Sequence, residues 1–258
     1  MTQAQVDYDR IAPTYNQRFA AGRRQGTAVA LVSLARQLGA QRTLEVGCGT
    51  ARWLSDLAAI VPELFGLDLS AGMLRQAQLR NVSLHLVRGD AAKLPFPDAT
   101  FDLVYCVNAI HHFDRPRAFI SQARRLIIPG GALAVVGTDP HGRRDSWYVY
   151  DYFRGTYETD LERFPSGNRL VDWMTAEEFV DIQSWQVERI IDHKQGREVL
   201  SDPFLRKNAC SQLALLTDKA YRAGLQRIQK ALKRAEQRGE VLCFRSDIRV
   251  GALVGRRE

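Results

Sequence analysis

At 258 residues the chain is long enough to bury a sizeable core, as one large domain or two small ones. Its 45% hydrophobic and 25% charged residues exclude collagen-like, low-complexity and disulfide-scaffold classes. Lys and Arg outnumber Asp and Glu by 36 to 29, a net +7 that invites an anionic partner such as nucleic acid. The excess is +4 over residues 1–139, −3 over 140–216 and +6 over 217–258, so most of it belongs to the tail. Cys48, Cys106, Cys210 and Cys243 lack CxxC or metal-ligand spacing and read as free thiols of a reducing compartment. The opening MTQAQVDYDR lacks the basic and apolar regions of a signal peptide. No apolar run approaches the ~20 residues of a membrane span, so the expectation is a cytoplasmic protein with no span.

In chain order, residues 25–38 place Leu31, Leu34, Ala35 and Leu38 at helical spacing. Strands are predicted at 43–47, 64–69, 82–88, 101–107 and 131–137, with helices at 51–60, 70–79 and 116–126 between them. Short β-branched runs alternating with helical patterns are the signature of a parallel sheet built from βαβ units. Residues 142–173 break this rhythm: eight large aromatics, among them Trp147, Tyr148, Tyr150, Tyr152, Phe153 and Trp173, follow no period and suggest an insertion. Thr175 with Glu178 three residues later has capping-box spacing and predicts a helix over 175–184. A strand at 186–193, helix over roughly 210–238 and a final strand at 241–255 complete the reading.

The strongest motif is LEVGCGTA at 44–51, a glycine-rich turn between the first strand and a helix. Glycine lets backbone approach a ligand, and the helix start favours polar or anionic atoms. Asp68 follows Gly49 by 19 residues, at the end of the second strand, where a carboxylate can accept both ribose hydroxyls. That pairing points to a nucleoside cofactor. Arg52 occupies the position where a dinucleotide fingerprint needs Gly or Ala, which disfavours nicotinamide cofactors. Glu45, two residues before Gly47, would repel a pyrophosphate but suits a cationic sulfonium-bearing amino acid.

On these residues the chain resembles class I S-adenosylmethionine-dependent methyltransferases of the type 11 group that includes the ubiquinone and menaquinone methyltransferases. The resemblance covers about 130 residues in order. YDRIAPTYNQRF (8–19) resembles the segment that closes over the cofactor, FGLDLS the ribose-binding motif and GDAAKLPFPDATFDLV (89–104) the adenine-binding segment. VNAIHHF (107–113) resembles the loop after the fourth strand, and LIIPGGAL (126–133) the turn before the fifth. Ala51 departs from the family's usual third glycine.

The fold implied is α/β, a Rossmann-like three-layer sandwich whose seven-stranded, mostly parallel sheet ends in an antiparallel hairpin. The expected organisation is a single methyltransferase domain over 1–258, with an N-terminal helical cap (1–40), a cofactor-binding core (41–139), an aromatic lid (140–174) and a helical insertion (199–240). Expected cofactor contacts are Glu45, Gly47, Cys48, Gly49, Thr50, Asp68, Leu69, Met73, Asp90, Ala91, Asn108, Ala109 and Tyr15, with Tyr8 also placed to cover the methionine moiety. S-adenosylmethionine is then the methyl donor and S-adenosylhomocysteine the product, with no metal required. His111 and His112 are the histidines placed to act as general base. Trp147, Tyr148, Tyr152 and Trp173 are candidate substrate contacts.

The acceptor is expected to be a small molecule, aromatic or extended and apolar. Two rivals stand beside this reading. One is a tRNA methyltransferase using the basic stretch 217–240, although Tyr221 alone is interleaved there for base stacking and a nucleic-acid partner is disfavoured. The other is a non-catalytic S-adenosylmethionine-binding protein. Oligomeric state is not legible.

Overall fold

The computed structural model describes residues 6–19, 25–80 and 82–258; parts of the expected 1–40 cap, residues 1–5 and 20–24, lie outside them. Five parallel strands form the centre: β1 (Arg42–Val46), β2 (Glu63–Asp68), β3 (His85–Arg88), β4 (Phe101–Val107) and β5 (Ile127–Gly137). Their order is β3-β2-β1-β4-β5. β1 and β4 are almost wholly buried because helices cover both faces, which is why their sequences read as apolar runs without alternation. Two further long strands, β7 (Phe179–Gln195) and β8 (Cys243–Arg257), complete the sheet, β8 lying antiparallel to β5 on one edge and to β7 on the other. The two-residue β6 (Ser146–Trp147) pairs with Asp247 and Ser246 of β8, extending the β5 edge.

One face packs against α2 (Gln25–Leu38), α3 (Arg52–Leu57) and α4 (Ala71–Gln78), through Leu31, Leu34, Trp53, Leu54, Leu57 and Leu74. The other packs against α5 (Pro116–Leu126) and α8 (Gly167–Ala176), through Phe119, Ile120, Leu126, Leu170 and Met174. This is the expected three-layer sandwich. Each buried leucine adds on the order of 1.5–3 kcal/mol, so the two faces supply most of the sheet's stability. A short helix, α1 (Tyr8–Ile11), precedes α2 and packs its Ile11 with Ala12 onto Met73 of α4.

The predicted helix over 175–184 does not form. Instead α8 ends at Ala176, its start capped by Ser166, whose Oγ accepts from the Arg169 N–H at 3.2 Å. Glu178 turns the chain at φ 58°, and Phe179, 4% exposed, is already in β7, paired with Arg257. The local capping-box spacing lost to the sheet edge, where Phe179 gains burial and a strand partner that the sequence alone does not display.

The two insertions meet in a third apolar cluster. Tyr148, Val149 and Phe153 of the first pack with Val199, Leu205, Leu213, Ile228 and Leu232 of the second, and with Phe244 of β8. The first insertion folds as α6 (Tyr148–Tyr152) and α7 (Thr156–Arg163) ahead of α8; the second holds α9 (Ser211–Ala214) and the basic α10 (Asp218–Gln237). The β7–β8 hairpin runs beyond the parallel sheet, and Phe244 of β8 joins it to this cluster. Among its charges, α10 directs Arg227 Nε to the Tyr152 carbonyl at 2.6 Å, and Glu236 pairs with Arg197 at 2.8 Å.

Gly224 lets α10 lie against this cluster. A Cβ there would stand 2.2 Å from the ring of Phe153, which is fully buried and stacked on Tyr221. Helix propensity alone predicts that Gly224→Ala stabilises by ~1 kcal/mol. The contact predicts the reverse, a loss of about 1–3 kcal/mol. Urea denaturation decides, and a gain in stability would show that Phe153 does not pin the helix.

Candidate active site

The glycine turn sits where β1, β2 and β4 end together. The N–H groups of Gly47 and Cys48 both donate to the Leu67 carbonyl, at 2.8 and 3.0 Å. Gly47 adopts φ 72°, and a Cβ would lie 2.6 Å from the Cβ of Ala109, so the close crossing of the β4 loop requires glycine here. Gly49, at φ 54°, donates its N–H to Asp68 Oδ2 at 2.8 Å, while Asp68 Oδ1 accepts from the Ser70 N–H at 2.8 Å. Burial pushes the Asp68 carboxyl upward despite these bonds. Ala51 also takes a left-handed conformation, φ 55°, at the start of α3. That geometry explains why a glycine is usual there.

Glu45 does not front the turn. It is 1% exposed, accepts a hydrogen bond from the Tyr105 hydroxyl at 3.3 Å, and burial raises its pKa well above the carboxylate range. It is buried within the sheet below the turn, beside Tyr105 of β4. Cys48 is likewise buried, its thiol pushed up by desolvation. Met73, 1% exposed, is covered by Ile11 and Ala12, so it belongs to the core under α1 and offers no surface to a ligand.

Leu69 is the opposite case. This large apolar side chain is 63% exposed immediately after Asp68. The Gly89 N–H donates to the Asp68 carbonyl at 3.1 Å, bringing the end of β3 alongside. Just beyond it Asp90 turns the chain, its Oδ1 accepting from the Ala92 N–H at 2.8 Å, and Ala91 is buried.

The N-terminal segment crosses this region. Asp9 Oδ1 accepts from Ser70 Oγ at 2.9 Å and from the Gly72 N–H, and Thr50 Oγ1 donates to Asn16 Oδ1 at 2.7 Å. The Tyr8 hydroxyl lies 2.6 Å from His112 Nε2, with Tyr15 edge-on to Tyr8 at 6.2 Å. Asp9 and Asn16 were not singled out by sequence, because each acts through a partner far along the chain.

Beyond His112 opens a cavity of about 220 Å³. The β4 loop contributes Asn108, at φ 49°, with His111 and His112. His111 stacks on Phe164 at 3.8 Å between centroids and lies 4.0 Å from His112. Burial, then His112 and Arg163, hold its pKa well below that of a free imidazole. Tyr8, Tyr15 and Trp53 line the same space, as do Trp147, Tyr150 and Tyr157 from the first insertion.

Of the four aromatic candidates only Trp147 is among the lining residues. Tyr148 is buried with its hydroxyl 2.7 Å from Asp202 Oδ2, Tyr152 packs on Phe244, and Trp173 sits against the α5 side beneath Arg169. The reason is helical: in α6 neighbouring side chains point in different directions, so Tyr150 faces the cavity while Tyr148 and Tyr152 build the satellite core. Among the described residues no group of three or more His, Cys, Asp or Glu is arranged to hold a metal ion.

A family model described as a methyltransferase domain matches residues 44–135. A demethylmenaquinone methyltransferase of Geobacillus is 30% identical over 171 residues, 55% of this chain and 72% of that protein. An uncharacterized methyltransferase of Mycobacterium tuberculosis is 35% identical over 123 residues, 46% of this chain and 62% of that one. The matched region therefore spans somewhat under two thirds of that relative's length. Among solved structures, a putative methyltransferase from an Anabaena variabilis antibiotic-biosynthesis pathway superposes with a TM-score of 0.66 at 20% identity, covering 89% of this chain and 96% of that one. Phosphoethanolamine N-methyltransferase 2 of Haemonchus contortus, in complex with S-adenosyl-L-methionine, gives 0.60 at 16% identity, covering 96% and 57%. The fold and the turn define a Rossmann-like three-layer sandwich with a glycine-rich turn directly after its first strand. Within that class, the chain belongs to the class I, type 11 methyltransferase family.

The depressed pKa of His111 has a definite sign for stability. An unfolded imidazole takes up its proton near pH 6.5 while the folded one stays neutral well below that. The unfolded chain therefore binds the extra proton, and stability falls as pH drops below about 6.5. Denaturant melts at about pH 7.5 and about pH 5.5 should show a smaller acid loss for His111→Gln than for the wild type; equal losses would refute the assignment.

Proposed function

We propose that this protein is an S-adenosylmethionine-dependent methyltransferase that methylates a small-molecule acceptor held in the cavity and releases S-adenosylhomocysteine. One arrangement carries the reading. The N-terminal segment that is bonded to the glycine turn through Asn16 and to the start of α4 through Asp9 also reaches the cavity wall through the Tyr8–His112 contact. Cofactor region and acceptor cavity thus share one cover.

When bound, the cofactor supplies a methyl carbon on a positively charged sulfur, so the leaving group is already activated. The chain's task is alignment and exclusion of water. Each Asp68 oxygen accepts one backbone N–H and keeps lone-pair capacity for a ribose hydroxyl. Exposed Leu69 offers an apolar face to adenine, with Asp90 and the Ala91 N–H at its polar edge. Gly47, Cys48, Gly49, Thr50, Asn108 and Ala109 shape the path of the methionine part mainly by backbone, and Tyr15 with Tyr8 covers it. His112 takes the acceptor's proton, oriented by the Tyr8 hydroxyl. His111, neutral and stacked on Phe164, holds the loop in place.

We read residues 1–258 as one methyltransferase unit in which the aromatic and helical insertions form the acceptor-side lid, a reading supported by their shared apolar cluster. No described helix is long and apolar enough to cross a membrane. The four free thiols, three of them buried, support a cytoplasmic setting. The catalytic scheme calls on no metal.

Calorimetry with S-adenosylhomocysteine tests the cofactor site. Asp68→Ala should weaken binding about tenfold to a hundredfold, through loss of charged hydrogen bonds worth roughly 1.5–3 kcal/mol. No binding by the wild type would sink the reading. Once a screen for labelled methyl incorporation has found an acceptor, Tyr8→Phe should lower kcat about tenfold or more while cofactor affinity changes little. An unchanged kcat would remove Tyr8 from the reaction.

A further inference from the structure

The acceptor cavity is charged against the sense of the chain as a whole. Although the protein carries +7, three carboxylates, Asp145, Asp192 and Asp202, line the cavity against a single guanidinium, Arg143. Two of the three have cationic partners. Asp192 lies 2.6 Å from Lys194 Nζ, and Asp145 lies 3.6 Å from the Arg249 guanidinium while accepting the Arg249 backbone N–H.

Asp202 differs. It is only 7% exposed, its Oδ1 accepts from the Phe204 N–H at 2.9 Å and its Oδ2 from the Tyr148 hydroxyl at 2.7 Å, both neutral donors. It forms no ion pair among the described residues. Desolvating a carboxylate is unfavourable, which neutral donors offset in part and an opposite charge offsets better. The cavity it faces is also lined by Trp147, Tyr150 and Phe204, whose ring faces attract cations.

We propose that Asp202 receives a positively charged nitrogen of the methyl acceptor, so that the acceptor is a small molecule joining an amine or guanidine group to an apolar or aromatic body. This rests on the reading of the cavity as the acceptor site. The aromatic walls take the body, and the helical insertion, by supplying Asp202, selects for charge. The same chemistry rejects anionic acceptors, which would meet a buried carboxylate.

Asp202→Asn removes the charge but keeps an oxygen for the Phe204 N–H and a polar partner for Tyr148. Tyr148→Phe removes a neutral bond and leaves the charge. Calorimetry with S-adenosylhomocysteine comes first for all three proteins: failure of the wild type to bind overturns the methyltransferase reading, whereas equal binding leaves the present proposal to be judged separately. With that product bound, phenethylamine, tryptamine and their alcohol isosteres are then titrated by ligand-observed NMR. The wild type and Tyr148→Phe should bind the amines about tenfold more tightly than the alcohols, the effect of one charged hydrogen bond. In Asp202→Asn the preference should vanish while the melting temperature is held. Alcohols binding as well as amines, a preference that survives in Asp202→Asn, or no binding by any amine would each overturn the proposal.

Discussion

The arrangement of the site depends on one carboxylate. Asp68 ends β2, and its two oxygens take the N–H of Gly49, in the turn after neighbouring β1, and the N–H of Ser70, at the start of α4. These bonds fix the glycine turn on one side and the start of α4 on the other. The strain in the turn follows from this: Gly47, Gly49 and Ala51 all adopt positive φ within five residues. Such a path persists only because Asp68, the Leu67 carbonyl and the neighbouring Ala109 over-determine it. The carboxylate is desolvated yet not fully used, which is the condition for gripping a ligand's hydroxyls.

The second organising element is the β7–β8 hairpin. A pair of strands 17 and 15 residues long is far longer than the central strands, and its outer half needs a core of its own. Two insertions distant in sequence supply it. They are fastened by a buried ion pair, where Asp160, fully buried, accepts from Arg163, Tyr150 and Gln212, and Arg163 continues to Ser211. With every oxygen satisfied, the buried charges lock α6, α7 and α9 in one geometry. The cavity walls are therefore held by both the satellite core and the sheet.

Much of the central fold was legible because parallel strands covered on both faces are continuous apolar runs, and the helices between them carry their own periodicity. Residues 25–38 and 116–126 emerge with the boundaries the pattern indicated. The 175–184 segment was misread since a cap signal is local and a sheet edge is not. At the site, the turn and Asp68 could be paired from their spacing. Glu45 and Met73 could not be judged, because burial depends on what packs against them: Tyr105 of the neighbouring strand β4 in one case, Ile11 from α1 in the other. Among the aromatics, composition announced a cluster but not its division. Tyr148 and Tyr152 face the satellite core and Tyr150 the cavity, a difference of helical phase in a segment whose helix was not foreseen.

The net charge shows the same divide. Sequence alone determined that the basic excess lies in the tail and that residues 140–216 are acidic, since charge follows directly from residue identity. It also determined the alternation of strands and helices, which rests on periodicities of two to four residues. Only the tertiary structure decided that Asp202 would lie buried in an aromatic-lined cavity without a cationic partner among the described residues, and that Tyr8 would meet His112 across 104 positions of chain. Contacts of that range are set by the packing of whole elements, and no local pattern encodes them.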